Sequence, residues 1–341
     1  MNRWIYHIVS SKRYTGGAQV GYLWHKALLK GGIESYFIYE GGYKLEKKIK
    51  EEKNTIPYYN FKDKIKKILK IPENSIILAH LSEDHWLSFF LRKKKERVLV
   101  FHNNKALKKD FLHKIIYKNT KKAIFAYLLE KNPPFQKYRI FPPVYDLETF
   151  KRGRQPNEIL NICSIGKMEK ERKQEKFLFL CKELKDLNFP FKGYVIGQGN
   201  YLDKLKEISK KLGLGEEIHF PGYFEDEKLA EILKEMDFLV WVCPGSQGAH
   251  RAVLEAVLCG AVPCSFEMEG IRWWIEDLKT GIILLENLRE SAKKIIDTFK
   301  NKNYFMDLRE NSYKKVIEIV DERKFIKEFM DFLYENSPSS P

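Results

Sequence analysis

The sequence predicts an α/β chain of two doubly wound, Rossmann-like domains facing a cleft. Three observations predict it. Short β-branched apolar runs alternate with amphipathic stretches, the alternation restarts half-way along, and 341 residues suit two domains better than one or three. Ligands of such sheets bind beyond the carboxyl ends of the strands, so the loops after strands are where chemistry is expected.

In the first half, Trp4–Val9 reads as a strand and Gln19–Lys30 as a helix with Val20, Leu23, Trp24, Ala27 and Leu28 on one face. Further strands are expected at Tyr36–Tyr39, Ile76–Leu81, Val98–His102 and Ala123–Tyr127. The second half gives strand Leu160–Ile165, helix Glu175–Lys185, strand Lys192–Ile196, helix Tyr201–Leu212 and strand Ile218–Phe220. Helix Glu227–Lys234, strand Phe238–Cys243, helix His250–Cys259 and strand Val262–Ser265 follow. The polar stretch Lys151–Glu158, after Pro142-Pro143, has the composition of a linker. The domains expected are therefore 1–150 and 151–335, with the polar tail 336–341 lacking order.

Apolar residues make up 44% and aromatics 14%, enough to fill two cores and too many for a disordered chain. No apolar run approaches the roughly 18 residues of a membrane span. Met1–Ser10 lacks the apolar stretch and cleavage site of a secretory signal. Five cysteines without a C-x-x-C pair (Cys163, Cys181, Cys243, Cys259, Cys264) read as reduced, buried thiols of a cytoplasmic protein. The net charge of +15 is uneven. Residues 1–150 hold 30 Lys and Arg against 14 Asp and Glu, and the remainder hold 31 against 32. A compositional bias would affect both halves alike, so the excess points to an anionic partner of the first half.

Gly16-Gly17 follows the first strand and opens the first helix. Paired glycines there let backbone approach a ligand, and free helix-start amides can hold a phosphate, although a plain turn has the same look. The G-x-G-x-x-G spacing of a dinucleotide fold is missing, which argues against a dehydrogenase. Strand Leu160–Ile165 ends in Gly166-Lys167-Met168, followed by Arg172-Lys173. Cations beyond a strand end suit a diphosphate; a solvated loop is the alternative. Pro244–Glu255 is the most specific segment: a buried strand runs into Pro-Gly-Ser-Gln-Gly-Ala-His, then into an apolar helix carrying Glu255. A carboxylate among Val253, Leu254, Ala256 and Val257 needs a partner, and sugar hydroxyls or a nearby Lys or Arg would serve. His7, His25, His85 and His113 show no ligand spacing and no Asp-x-Asp occurs, so nothing visible requires a metal.

The ordered series of motifs resembles the GT-B glycosyltransferases of the large retaining family four, glycosyltransferase group 1. Gly16-Gly17-Ala18-Gln19 is similar to that family's glycine loop. Phe141-Pro-Pro-Val-Tyr-Asp146-Leu-Glu-Thr-Phe150 is similar to the segment closing its first domain. Gly166-Lys167 with Lys173, Val195-Ile-Gly197-Gln-Gly199 and His219-Phe220-Pro221-Gly222 match its donor-site strand ends, and Gln247 to Glu255 has the spacing of its paired glutamates. Glu322–Glu335 resembles the helix that crosses back to the first domain.

The resemblance implies a hexosyl- or related glycosyltransferase that moves a sugar from a nucleotide-sugar donor, UDP- or GDP-linked, with retention and without metal or other cofactor. It implies that Gly16 and Gly17 lie near the donor phosphates, and that Lys167 and Lys173 neutralise the diphosphate leaving group with Gly166 and Gly222 at the strand ends. Glu255 would hold the ribose, and Gln247 with the amides of Gly248, Ala249 and His250 would face the sugar. His102 matches a family histidine near the sugar; His80 is a weaker match that reads as core or rim. Two departures stand out: the first glutamate of the pair is Gln247, and the usual arginine is Lys167, which keeps the charge and loses the bidentate fork.

In that arrangement the first domain binds the acceptor, and its charge bears on which. Asn60–Ile71 is expected to bury Phe61, Ile65, Ile68 and Leu69 and to present Lys62, Lys64, Lys66, Lys67 and Lys70; Lys105–Lys122 interleaves Leu107, Phe111, Leu112, Ile115 and Ile116 with lysines. Basic amphipathic helices suit an anionic membrane surface, and hence a lipid-linked or cell-envelope saccharide acceptor. The chain is then expected in the cytoplasm, peripheral on the inner face of the cell membrane, with no nucleic acid as partner. The alternatives are a basic nucleic-acid-binding protein, for which no motif is seen, and a catalytically silent GT-B subunit of a larger assembly, motivated by Gln247. Gln247→Glu should change which sugar is accepted more than nucleotide affinity. A donor panel with binding titrations checks this; altered nucleotide affinity with unchanged sugar choice would remove Gln247 from the sugar.

Overall fold

The computed structural model describes residues 3–14, 16–91, 96–103, 106–127, 129, 132–145, 147–153, 158–243, 251–268 and 270–335. These form two compact units: the first runs to Tyr145 and resumes at Val320, and the second lies between. The expected site residues Gln247, Gly248, Ala249 and His250, with Asp146 and the tail, lie outside the described residues.

The first unit is built from β1 (Ile5–Val9), α1 (Gly16–Lys30), β2 (Ser35–Glu40), α2 (Lys44–Ile49), β3 (Thr55–Tyr58), α3 (Phe61–Leu69), β4 (Ile76–Ala79), α4 (Ser82–Leu91), β5 (Glu96–Phe101), α5 (Phe111–Lys118), β6 (Lys122–Phe125) and β7 (Lys137–Ile140). Its sheet is parallel, in the order β3-β2-β1-β4-β5-β6-β7. The second unit contains β8 (Leu160–Ile165), α6 (Glu175–Asp186), β9 (Phe191–Ile196), α7 (Leu202–Lys211), β10 (Ile218–Gly222), α8 (Asp226–Leu233), β11 (Phe238–Trp241), α9 (Arg251–Cys259), β12 (Val262–Phe266), β13 (Ile282–Leu284), α10 (Leu288–Lys300) and α11 (Lys302–Val320). Its sheet, also parallel, has the order β10-β9-β8-β11-β12-β13. Strand order reverses between β1 and β4 in one sheet and between β8 and β11 in the other. Those are the switch points at which doubly wound folds bind ligands.

The last helix, α12 (Glu322–Tyr334), belongs to the first unit. It starts at Asp321, whose side chain accepts from Lys324 N at 2.6 Å. Its apolar stripe, Phe325, Phe329, Phe332 and Leu333, packs on Trp24 and Phe141 in one core with Ile5, Leu28, Leu78 and Val100. Burying each such side chain contributes roughly 1.5–3 kcal/mol. At its far end the buried Lys122 ammonium donates to the Leu333 carbonyl and pairs with Glu96 at 2.9 Å, where the helix dipole favours a cation.

The opposite face of this sheet carries α3, α4 and α5. Here the structure corrects one expectation. Lys64 points inward, 1% exposed, donating to Glu83 at 2.6 Å, to Asp84 at 3.1 Å and to Ser10 Oγ. Phe61 and Leu69 are exposed instead. Lys64 and Ile68, one turn apart, share the inner face, and the buried Asp84 carboxylate beneath them needs a cation more than the core needs another apolar side chain. Among the described residues no helix is long and apolar enough to cross a membrane.

Candidate functional site

In the second unit the loops after β8 and β9 are pressed together, and glycine is what permits it. A Cβ on Gly197 would lie 2.0 Å from the Gly166 carbonyl oxygen, and one on Gly199 would lie 2.1 Å from that of Met168. Gly197 also has φ +145°, and its N–H donates to the Gly222 carbonyl at 2.8 Å, tying the ends of β9 and β10 together. Gly222 itself has φ +98° with open space around it. Gln174, fully buried, reaches the Gly166 carbonyl with Nε2 at 3.4 Å, while its Oε1 has no partner among the described residues. The cations stand beyond this frame. Lys167 is exposed and pairs with Glu169, two residues on. Lys173 is exposed and takes the left-handed conformation, φ 53°, at the end of a short 3-10 turn.

Glu255 is buried on α9 and its partner is Arg251, one turn earlier. Of the two partners open to it from sequence, the described structure supplies the arginine. Burial pushes its carboxyl above the usual range, with the Arg251 guanidinium pulling the other way.

In the first unit, Gly16 opens α1 with φ +43°, and Gly17 lies flat on the His102 ring: a Cβ there would sit 2.6 Å from Cδ2. One turn on, a Cβ at Gly21 would sit 2.8 Å from Cε1 of His80. His102 Nε2 lies 3.0 Å from His80 Nδ1, and His80 Nε2 lies 3.0 Å from His7 Nδ1. His7 comes from β1, and His80 and His102 follow β4 and β5, so the three rings sit at the switch point of this sheet. Burial holds the His7 and His80 imidazoles well below their ordinary value and that of His102 at about 3. No group of three His, Cys, Asp or Glu among the described residues is placed to hold a metal ion.

Comparison with known proteins identifies what this framework is. The family model described as glycosyl transferases group 1 matches residues 147–315. This half of the chain belongs to the group 1 glycosyltransferases. An uncharacterised glycosyltransferase of Methanocaldococcus jannaschii is 27% identical over 172 residues, a match spanning 50% of this chain and 44% of that relative's length. A solved glycosyltransferase from Rickettsia africae superposes with a TM-score of 0.81 at 18% identity, covering 98% of this chain and all of the other. The Anabaena protein HepE, solved with UDP, gives 0.80 at 11% identity, covering 98% and 100%. Likeness at such identities speaks to the fold, and the fold is GT-B.

At the strand ends of this group 1 glycosyltransferase the structure adds Gln174, which had no place in the sequence reading, and gives the reason for Gly197 and Gly199. Gly197 and Gly199 had their signal in Gly-Gln-Gly after an apolar run, and only the close carbonyls show why they must be glycine. Gln174 carried no signal at all, since nothing in a lone glutamine tells that it will be buried against Gly166.

The buried histidines make stability depend on pH. His25 and His85 are each held at about 4 by burial. Below about 6.5 the unfolded chain takes up protons that the folded imidazoles refuse. The stabilisation they give is therefore complete above about 6.5 and is lost as pH falls toward 4, by roughly 1.4 kcal/mol per pH unit for each histidine. Urea midpoints should drop from pH 7 to pH 5. A flat profile there would show that these histidines titrate in the folded protein as they do in peptides.

Proposed function

We propose that the protein transfers a sugar from a nucleotide-sugar donor, UDP- or GDP-linked, to a saccharide or glycolipid acceptor, with retention at the anomeric carbon and without a metal. The observation that carries this reading is the strand-end frame of the second unit. Gly197 and Gly199 bring backbone close to Gly166 and Met168, Gly222 leaves open space, and Lys167 and Lys173 stand by the end of β8, the strand at the switch point. The ring-free backbone leaves room for a diphosphate, and the two ammonium groups offset the charge that builds on it as the glycosidic bond breaks. Lys167 reaches it by exchanging Glu169 for phosphate. Glu255 is the residue for the ribose hydroxyls, with Arg251 holding the carboxylate until they arrive. Gly16 and Gly17, His102, and the segment from Gln247 to His250 take the roles that the resemblance implies, at the phosphates and the sugar. That HepE was solved with UDP supports UDP as the first nucleotide to try.

The acceptor is read from the first unit. The layer of α3, α4 and α5 exposes Phe61, Leu69, Phe90, Phe111, Leu112 and Ile115, with Phe111 at 80%. Lys62, Lys66, Lys70, Lys114 and Lys118 are exposed on the same helices. Apolar side chains to enter the headgroup region and cations worth about 1 kcal/mol each near anionic lipid support a membrane-bound acceptor at the inner face of the cell membrane.

Two measurements test these readings. UDP should raise the melting temperature, since a ligand at 100 times its Kd stabilises by about 2.7 kcal/mol. Lys173→Ala should weaken that response without lowering the melting temperature of the free protein, because an exposed loop lysine contributes little to stability. Equal UDP affinity in both proteins would displace the phosphate site from this loop.

For the membrane, Phe111→Ser combined with Gln at Lys62, Lys66 and Lys70 should reduce sedimentation with anionic liposomes; Lys64 is left alone as a buried partner of Asp84. Wild type that ignores the liposomes but binds duplex DNA with a steep salt dependence would replace this reading with a nucleic-acid partner.

A further inference from the structure

The proposed function uses His102 and leaves His7 and His80 without a part. Their geometry gives them one. The three rings follow one another edge to edge, centroids 5.2 Å apart at each step, with interplanar angles of 28° and 16°. Each step carries one ring-nitrogen contact of 3.0 Å. Gly17 and Gly21 on α1 supply the space, since a side chain at either would strike a ring. The two outer nitrogens, His7 Nε2 and His102 Nδ1, are shielded from solvent and have no partner among the described residues.

Hydrogen-bond accounting then constrains the protons. A neutral imidazole has one N–H and one bare nitrogen, and each 3.0 Å contact takes one of each. If His7 donates from Nδ1, His80 accepts at Nε2, must donate from Nδ1, and leaves His102 accepting at Nε2 with its proton on Nδ1. If His102 donates from Nε2, the whole chain reverses, and His102 Nδ1 is bare. Any neutral arrangement outside these two loses a hydrogen bond in a buried site, where an unmade bond is expensive. An imidazolium is disfavoured by the burial of all three rings and by the neighbouring imidazoles, His25 packed 5.9 Å from His7 and His85 on the far side of the strands.

We infer that His7 and His80 are positioning residues for His102: the three imidazoles are one tautomer-coupled chain, so that whether His102 Nδ1 is a donor or an acceptor is tied to the tautomer of His7, two rings away. The significance for sugar transfer rests on the proposed role of His102 at the sugar; the coupling itself does not. A ring of given tautomer distinguishes a hydroxyl that accepts from one that donates, and a change of tautomer at His7 changes that preference at His102.

Protein labelled with 15N-histidine shows the tautomer of each ring through its one- and two-bond nitrogen–proton correlations at pH 7, with assignments from single His→Gln substitutions. All three rings should report the same tautomer, or the same ratio if the chain reverses during the measurement. One ring of opposite tautomer, or an imidazolium among the three, overturns the proposal, and this reading needs only wild type. His7→Leu should then shift the His102 ratio and lower kcat at unchanged donor KM for turnover of the nucleotide sugar that stabilises wild type most. His7→Asn, which keeps a donor-acceptor group near Nδ1, should restore both. An unmoved His102 ratio in a folded His7→Leu protein overturns the coupling, and a shifted ratio with unchanged kcat overturns the positioning role. Wild type that neither binds nor turns over any nucleotide sugar would instead undo the proposed function, and the tautomer result would stand.

Discussion

A parallel strand covered by helices on both faces has no wet side. Its backbone is satisfied by its neighbours, and a polar side chain along its length has nowhere to go. Chemistry is therefore displaced to the strand ends, and in both sheets it collects where strand order reverses. β8 is buried along its length and β9 at its carboxyl end, and they break at once into Gly166-Lys167 and Gly197-Gln-Gly199. His7 is one exception that tests the rule, beside the buried Asn161 and Ser164 of β8. It lies inside β1 with no exposure, and its Nδ1 meets the His80 imidazole, which follows the adjoining strand β4, at 3.0 Å.

The absence of a Cβ does two different jobs in the two units. In the second it lets main chain meet main chain, with carbonyl oxygens of one loop occupying the volume a side chain of the next would need. In the first it lets a helix lie on aromatic rings, with Gly17 and Gly21 a turn apart on the same stripe. An alanine at any of these positions would be an unremarkable change on a surface helix; here it would move a loop or a ring.

Interior strands were legible because burial on both faces writes a continuous apolar run, as in Ile76–Ala79 and Val98–Phe101. The strands that escaped are β3, β7 and β13, and all three lie at sheet edges. An edge strand needs neither a full apolar run nor every ladder hydrogen bond, so β3 carries Pro57 and β7 reads Lys-Tyr-Arg-Ile. The candidate site was legible where backbone chemistry demanded glycine and illegible where tertiary pairing decided. Lys64 looked solvated because its partners, Ser10, Glu83 and Asp84, are remote in sequence or unremarkable beside it. The partner of Glu255 was one turn away in plain view, yet spacing alone could not choose between Arg251 and a ligand.

The return of α12 has a consequence for how the chain comes off the ribosome. The strands of the first unit are synthesised first, but the face of its sheet around Trp24 and Phe141 is covered by a helix made only after the second unit. At about 5–20 residues per second, roughly 10–40 s separate the two. During that interval a complete parallel sheet waits with an open aromatic seam, while the second unit has everything it needs to close. Order of synthesis and order of completion are thus inverted, and the unit whose strands emerge first is the one that waits for α12.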